Sequence, residues 1–312
     1  MKISLLQGIL FLLAFLTFLP ALTCDFTNWD DNWMLTENPL IRSLSLSGIK
    51  EIFFGEIYQL NYQPLIFLSY AVEYHFFGLN AMVFHLTNLL FHIFNVLLVY
   101  RLIRLISTGN TAAFVAAILF AIHPMHVESV AWVTGRRDML YTFFYLLSLI
   151  QYVKYLKEPQ IKNYSFSLLF FLLSCLSKGM AVSLSIVILL LDILIKRKLT
   201  RQSILDKIPF FALSLFFGFL AVYATHTEYQ IELYDVYTFS ERVRFASYGL
   251  LFYIFKLFFP VNLSCFYPYP PFLSGGLPGY WWIFTLMAFI IMALVIISLK
   301  YTRKIFFGFA FF

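Results

Sequence analysis

The sequence predicts an all-α, polytopic membrane protein, and three observations carry that prediction. Of 312 residues, 61% are hydrophobic and 12% charged, with a mean hydropathy of +0.82, against roughly 25% charged residues in an ordinary soluble domain. The apolar residues recur along the whole chain in runs of about 15 to 20, the scale of a lipid-spanning helix, with no polar stretch large enough for a separate soluble domain. Basic and acidic residues fall in different loops. The net charge of +6 is therefore a loop bias across a bilayer rather than a nucleic-acid footprint. Abundant Phe (39) and Tyr (20) suit lipid contact and interfacial anchoring.

Each element follows in order. "SLLQGILFLLAFLTFLPAL" (4–22), behind Lys2, is long enough to span; further spans follow, so an uncleaved helix is preferred to a signal peptide. Residues 23–80 hold Asp25, Asp30, Asp31, Glu37, Glu51, Glu56 and Glu73 against only Arg42 and Lys50, and form the first outer loop. Runs follow at 81–100, 111–122, 139–153, 164–177, 180–195, 208–224 and 280–299, giving about eight spans and a partial last one. Basic clusters lie at 101/104, 154/157/162, 196–207 and 300–304, while every acid except Glu158, Asp192 and Asp206 falls on the other side. This bias puts the amino terminus in the cytoplasm and the acidic loops outside. Residues 242–259 resist the alternation and read as an interfacial helix within an outer loop at 225–279. The whole of 1–312 reads as one membrane domain without repeats, and "KIFFGFAFF" at its end as a last helix cut short. Three cysteines define no framework; a Cys24–Cys265 disulfide is left open.

Two runs are too short to cross. "TAAFVAAILFA", before His123-Pro124, reaches about 17 Å against a hydrocarbon core of about 30 Å. The 164–195 stretch is broken by "SKG". Turns around His123 and Lys178 are thus expected below the membrane surface, where irregular backbone and a lysine are tolerated only in protein or a wet cavity. Asp30 and Asp31 would overhang that polar pocket.

The densest polar constellation is "HPMHVESVAWVTGRRDML" (123–140). His123, His126 and Glu128, with Asp138 nearby, are candidate ligands of a divalent metal, although no HExxH spacing is present; a capped turn is the simpler reading for His123. Arg136 and Arg137 offer planar forks for phosphate or anchor a helix at the headgroups. Lys178 demands an anionic partner, a protein carboxylate or a ligand phosphate. Asp30 and Asp31 must point in different directions, so only one need react. His85, Asn88, His92 and Asn95, at spacings of three, four and three, share one helical face and predict hydrogen bonds between helices rather than chemistry.

"NWDDNWMLTENP", "NYQPLIFLSYAVEYHFFGLNAMVFHLTNLLFHIFNVLLVYRL", "FAIHPMHVESVAWVTGRRDML", "LSKGMAVSLSIVILLLD" and "SERVRFASYGLLFYIFKLFFPVNLSCFYPYP" together resemble, in order over about residues 20–270, the membrane part of the transmembrane and tetratricopeptide-repeat proteins. These stand with the protein O-mannosyltransferases among the GT-C glycosyltransferases. The resemblance implies a GT-C-like helical bundle with juxtamembrane helices in the first outer loop. It also implies a transferase using a lipid-phosphate sugar on the non-cytoplasmic face, with an essential acid at Asp30 or Asp31. Two features depart from the family: Gly179 follows Lys178 where bacterial relatives often have proline, and the carboxy-terminal repeats are missing. The similarity looks bacterial, which implies the inner membrane.

On that reading, Asp30, or alternatively Asp31, takes the proton from an acceptor hydroxyl, of protein Ser/Thr or a glycan, as it attacks the anomeric carbon of a polyprenyl- or dolichyl-phosphate sugar. Lys178, Arg136 and Arg137 stabilise the leaving phosphate, with a metal as a candidate aid. The rival readings are a transporter or flippase of lipid-linked sugar, which would favour repeated halves, and a noncatalytic assembly protein, which would need none of these charges.

Overall fold

The computed structural model describes residues 3–58, 61–107, 109–225, 237–268 and 277–311. These form helices and short turns, with one isolated bridge between Tyr58 and Asn61. Four helices are long and apolar enough to cross a membrane: Leu5–Thr23, Ala81–Ile106, Arg201–Ala224 and Gly279–Ser298. The pair Asn110–Ile122 and Pro124–Ala131, bent by 51°, makes a fifth if counted as one broken span. The chain forms two compact units, one of 1–188 with 198–224, the other of 189–197 with 225–312.

In the first unit, α1 (Ile3–Phe18) and α4 (Ala81–Ile106) pack with α5 (Asn110–Ile122). Leu6, Leu10, Ala14 and Phe18 recur every four residues and meet Leu89, Ile93, Val96 and Tyr100. Ala113, Ala117 and Ala121 form a small-residue stripe on α5, all fully buried. Where lipid is as apolar as any side chain, such a stripe lets backbones approach and gain dispersion contacts. The opposite side of α1 shows Leu5, Phe11, Leu12 and Leu16, more than two-fifths exposed each, as a lipid-facing surface would be.

α5 stops at His123 because Pro124 removes a backbone donor. A 3-10 turn at Pro124–His126 and the short α6 (Val127–Ala131) follow, then α7 (Arg136–Lys157), α8 (Ile161–Cys175) and α9 (Leu184–Ile195). α7 and α8 are joined by reciprocal hydroxyls: Ser148 donates to the Ser167 carbonyl at 2.8 Å and Ser167 to that of Ser148 at 2.9 Å. The expected break at Lys178 is present, with a 3-10 turn at Gly179–Ser183 between α8 and α9. α10 (Arg201–Leu205) and α11 (Ile208–Thr225) close this run of helices.

The segment between α1 and α4 folds around a core of its own. It contains α2 (Leu46–Phe54), capped by Ser45, and α3 (Pro64–Phe77), which ends at Gly78 with φ of 61°, a left-handed value that favours glycine. Met34, Leu35, Ile41, Ile52, Ile66, Phe67, Tyr70 and Ala71 pack there against Phe84, Val133 and Leu140 of the helices. The two helices in this segment, where the resemblance implies helices, are α2 and α3.

In the second unit α12 (Phe239–Phe258) packs on α13 (Trp282–Ser298), and α13 on α14 (Arg303–Phe311). A reciprocal cap opens α12: Thr238 Oγ1 accepts the Glu241 N–H, and Glu241 Oε2 accepts the Thr238 N–H at 2.8 Å. These hydrogen bonds hold the Glu241 carboxyl below the usual range. The expected helix at 242–259 is therefore present, whereas 226–236 and 269–276 of the expected outer loop lie outside the described residues. All three cysteines are free, so the Cys24–Cys265 disulfide is not formed.

Candidate active site

The adjacent acids Asp30 and Asp31 have separate surroundings. The backbone turns helically here: Met34 N–H reaches the Asp30 carbonyl at 2.9 Å, and a π-helical turn runs over Asn32–Thr36. Successive side chains on such a turn diverge by roughly 100°. Asp31 is wholly buried. Its Oδ2 accepts Thr27 N–H at 2.8 Å and Thr27 Oγ1–H at 3.0 Å, and its Oδ1 accepts Thr134 N–H at 3.2 Å. Asp30 stays part-exposed, accepting Trp33 Nε1–H on Oδ1 at 3.2 Å and pairing through Oδ2 with Arg137 Nη2 at 2.9 Å.

The segment before α7 is fixed from several sides. Trp132 donates its Nε1–H to Thr27 Oγ1 at 3.0 Å. Tyr70 donates to the Val133 carbonyl at 3.1 Å, and Asn88 Nδ2 to the Trp132 and Val133 carbonyls at 2.8 and 3.2 Å. At Gly135 the backbone folds back so tightly that a Cβ would lie 2.6 Å from the Ser129 carbonyl oxygen and 2.9 Å from that of Glu128. Only glycine fits there, and α7 starts directly after it.

Arg136 and Arg137 therefore have opposite surroundings despite adjacent positions. Arg136 is fully buried. It forks onto Glu73 at 3.0 and 3.1 Å and also donates to the Phe84 carbonyl at 2.8 Å, Ser69 Oγ at 3.3 Å, and Asn88 Oδ1. All five of its N–H groups are taken, so the phosphate role expected from sequence finds no free donor. Its role is to join α3, α4 and α7. Arg137 is part-exposed, and its guanidinium lies 5.5 Å from the Trp132 ring centroid as well as on Asp30.

Lys178 has the anionic partner its position demands. Its ammonium pairs with Asp138 Oδ1, the residue after Arg137, and lies 5.7 Å from the Tyr141 ring centroid. Two ion pairs, Asp30–Arg137 and Asp138–Lys178, are thus anchored on consecutive residues in the first turn of α7, where no side chain caps the helix at Gly135 and the dipole adds positive potential. The turn before Lys178 also touches the outer loop, through Leu65 N–H on the Leu176 carbonyl at 3.3 Å.

The histidine constellation divides differently from the expected metal set. Among the described residues no three His, Cys, Asp or Glu gather where an ion could be held. His123 accepts the Met125 N–H on Nδ1, the capped turn of the simpler reading. His126 packs 4.5 Å from Phe120 and 5.9 Å from His92 by ring centroids. Glu128 is exposed, and Asp138 is engaged by Lys178. This donor set does not fit a divalent metal, because His123 and Asp138 are engaged elsewhere, His126 packs among rings and Glu128 is exposed apart from them. Three of the four residues of the α4 stripe behave as their spacing predicts: Asn88 as above, His92 Nε2 on the Ala121 carbonyl at 3.0 Å, and Asn95 Nδ2 on the Met139 carbonyl at 2.9 Å; both ring nitrogens of the fourth, His85, are buried without a hydrogen-bond partner among the described residues.

Sequence reading missed Glu73 and Trp33. Glu73 was a lone acid inside the apolar α3, a burial signal that points to a cationic partner; Trp33 carried no signal beyond its place beside an acid.

A family model described as dolichyl-phosphate-mannose-protein mannosyltransferase matches residues 63–226, more than half of the chain. The chain belongs to this family. The match takes in Glu73, Arg136, Arg137, Asp138 and Lys178 and begins after Asp30 and Asp31. The chain is also similar to protein O-mannosyl-transferase TMTC1 of Mus musculus, 31% identical over 138 residues, 41% of this chain and 15% of that protein. A protein O-mannosyl-transferase of Caenorhabditis elegans is 28% identical over 319 residues, 96% of this chain and 44% of its own. TMTC2 of Mus musculus is 37% identical over 95 residues, 30% and 11% of the two chains. The chain spans less than half the length of these relatives. No solved structure matches.

Proposed function

We propose that the protein transfers mannose from a polyprenyl- or dolichyl-phosphate donor to an acceptor hydroxyl, of protein Ser/Thr, on the non-cytoplasmic face of a membrane. Family membership and the names of the relatives support the mannosyl transfer; the single structural observation that carries the site is the pair of ion pairs, Asp30–Arg137 and Asp138–Lys178, at the start of α7. Asp30 is the base of this reading. It is part-exposed and oriented by Trp33, whereas Asp31 has both oxygens engaged in the interior. As the acceptor hydroxyl attacks the anomeric carbon, Asp30 takes its proton, the bond from that carbon to the phosphate oxygen breaks, and configuration inverts. Arg137 and Lys178 face the phosphate, whose charge grows as it leaves. About eight spans, the broken ones lining a recessed pocket, would let the isoprenoid remain in lipid. The bias of basic residues between loops supports a site on the exoplasmic side, and in this reading the membrane is a bacterial inner membrane.

The test supplies purified protein in nanodiscs with radiolabelled polyprenyl-phosphate mannose and a Ser/Thr-rich peptide. Mannose on the peptide, lost in Asp30→Asn, is the expected result. Transfer undiminished in Asp30→Asn refutes the assigned base, and donor uptake into vesicles without transfer favours a flippase.

A further inference from the structure

The cluster at the first turn of α7 is electrically complete before any donor arrives. Arg137 is matched by Asp30 and Lys178 by Asp138. The side chains of the first pair are 20% and 23% exposed and those of the second 21% and 30%, whereas Arg136 is inaccessible. A lipid-phosphate sugar is a phosphodiester with one negative charge, and the monoester left after transfer carries about 1.5 to 2. Two cations already neutralised by two carboxylates offer such an anion little net attraction. Binding must either leave the pairs intact, at the expense of repulsion from two carboxylates, or replace the carboxylates.

We infer that the donor phosphate binds by exchange: its oxygens take Arg137 and Lys178 from Asp30 and Asp138, and Asp138 is the positioning residue that holds Lys178 ready. This rests on the transferase reading above. Its consequence concerns the base. A carboxylate oxygen occupied by a guanidinium N–H is not free to receive an acceptor hydroxyl. Without Arg137, Asp30 keeps only the Trp33 Nε1–H on Oδ1, which fixes its direction while Oδ2 is released toward the acceptor. Donor and base are thereby coupled: Asp30 Oδ2 is released from Arg137 only when a phosphate takes the guanidinium. The uncapped start of α7 keeps a positive potential at the site throughout.

The experiment measures binding of citronellyl phosphate, a short isoprenoid monophosphate, to the full chain in nanodiscs by calorimetry, with inorganic phosphate as a second probe. Thermal melting confirms that each variant is folded. Exchange predicts that Asp138→Asn and Asp30→Asn each bind the isoprenoid phosphate about fivefold more tightly, since each removes a competing anion worth up to about 1 kcal/mol. Arg137→Gln and Lys178→Gln bind it more weakly by about tenfold. Asp138→Asn should also lower the turnover number while lowering KM, a split that a merely structural role would not produce. Tighter binding of both probes assigns the gain to the phosphate; a gain confined to the isoprenoid probe overturns the exchange. Equal or weaker binding in Asp138→Asn, or in Asp30→Asn should Asp138→Asn not fold, also overturns it while leaving the transferase reading intact. A wild-type protein and variants that bind neither probe remove both. If Asp30→Asn binds more tightly yet still transfers mannose, the exchange stands and the base assignment falls.

Discussion

Replacing Glu73 by Gln tests whether Arg136 is structural. The guanidinium has no solvent access, and two of its five hydrogen bonds end on the Glu73 carboxylate. Glutamine keeps the shape and one acceptor oxygen but removes the counter-charge, and its amide nitrogen faces another donor. Breaking a buried pair from one side typically costs 3–5 kcal/mol, about, since the remaining charge is stranded. For a unit of this size each kcal/mol moves the melting midpoint by about 2–4 °C, so Glu73→Gln should melt at least about 6 °C lower. Removing both charges with Glu73→Leu and Arg136→Met eliminates the stranded cation but leaves Asn88 Oδ1 without its donor, a residual cost of about 1–3 kcal/mol. The double variant should therefore melt between Glu73→Gln and wild type. Melting in nanodiscs, followed by tryptophan fluorescence, is the assay. A Glu73→Gln protein as stable as wild type would refute the structural assignment and reopen Arg136 as a ligand for phosphate.

The other predictions concern neighbouring residues. Asp31→Ala should destabilise the protein by about 1–3 kcal/mol, since Thr27 N–H and Thr134 N–H lose their acceptor, whereas Asp30→Asn should change the melting midpoint little because a part-exposed pair contributes about 0–1 kcal/mol; equal shifts would contradict the buried and exposed assignments. Gly135→Ala should lower transfer by about 100-fold, because relieving the 2.6 Å approach to the Ser129 carbonyl moves the start of α7 and Arg137 with it; an unchanged rate would show that the turn has slack. Ala117→Leu should cost about 1–3 kcal/mol by forcing apart helices packed on a fully buried position, read as a lower melting midpoint. The cap on α12 depends on an ionised Glu241, whose folded value lies below its ordinary 4.5. Its stabilisation is complete above pH 4.5 and lost as pH falls through the lower folded value, so hydrogen exchange at the first turn of α12 should accelerate only on that acidification.

The helices were legible wherever local signals agreed. Pro124 marked the end of α5, "SKG" the break at Lys178, and the His85–Asn95 spacing a face for interhelical bonds, since each is a statement about near neighbours. α7 began earlier than hydropathy suggested, at Arg136, because burial with Glu73 and pairing with Asp30 and Lys178 make charged residues acceptable in its first turn. What could not be read were pairings across long separations. Nothing in "GRRD" distinguishes an interior arginine from an exposed one; the difference arises when α3 delivers Glu73 to one of them. Likewise "WDD" required that two adjacent acids diverge but left open which turned inward, a choice made by the π-helical turn and by Thr134, more than a hundred residues away. Lys178 was rightly expected to need an anion, and its neighbour in space, Asp138, had been assigned to a metal set that does not assemble.

Three attachments of the segment between α1 and α4 fall on successive residues: Trp132 holds Thr27, the Val133 carbonyl holds Tyr70, and the Thr134 N–H holds Asp31. This uncharged tripeptide acts as a keystone. A peptide-bond cut within it would leave the Arg137–Asp30 and Arg136–Glu73 pairs as ties on the roof that carries Asp30, so the placement of the acid is shared between three neutral anchors and these two charged ones.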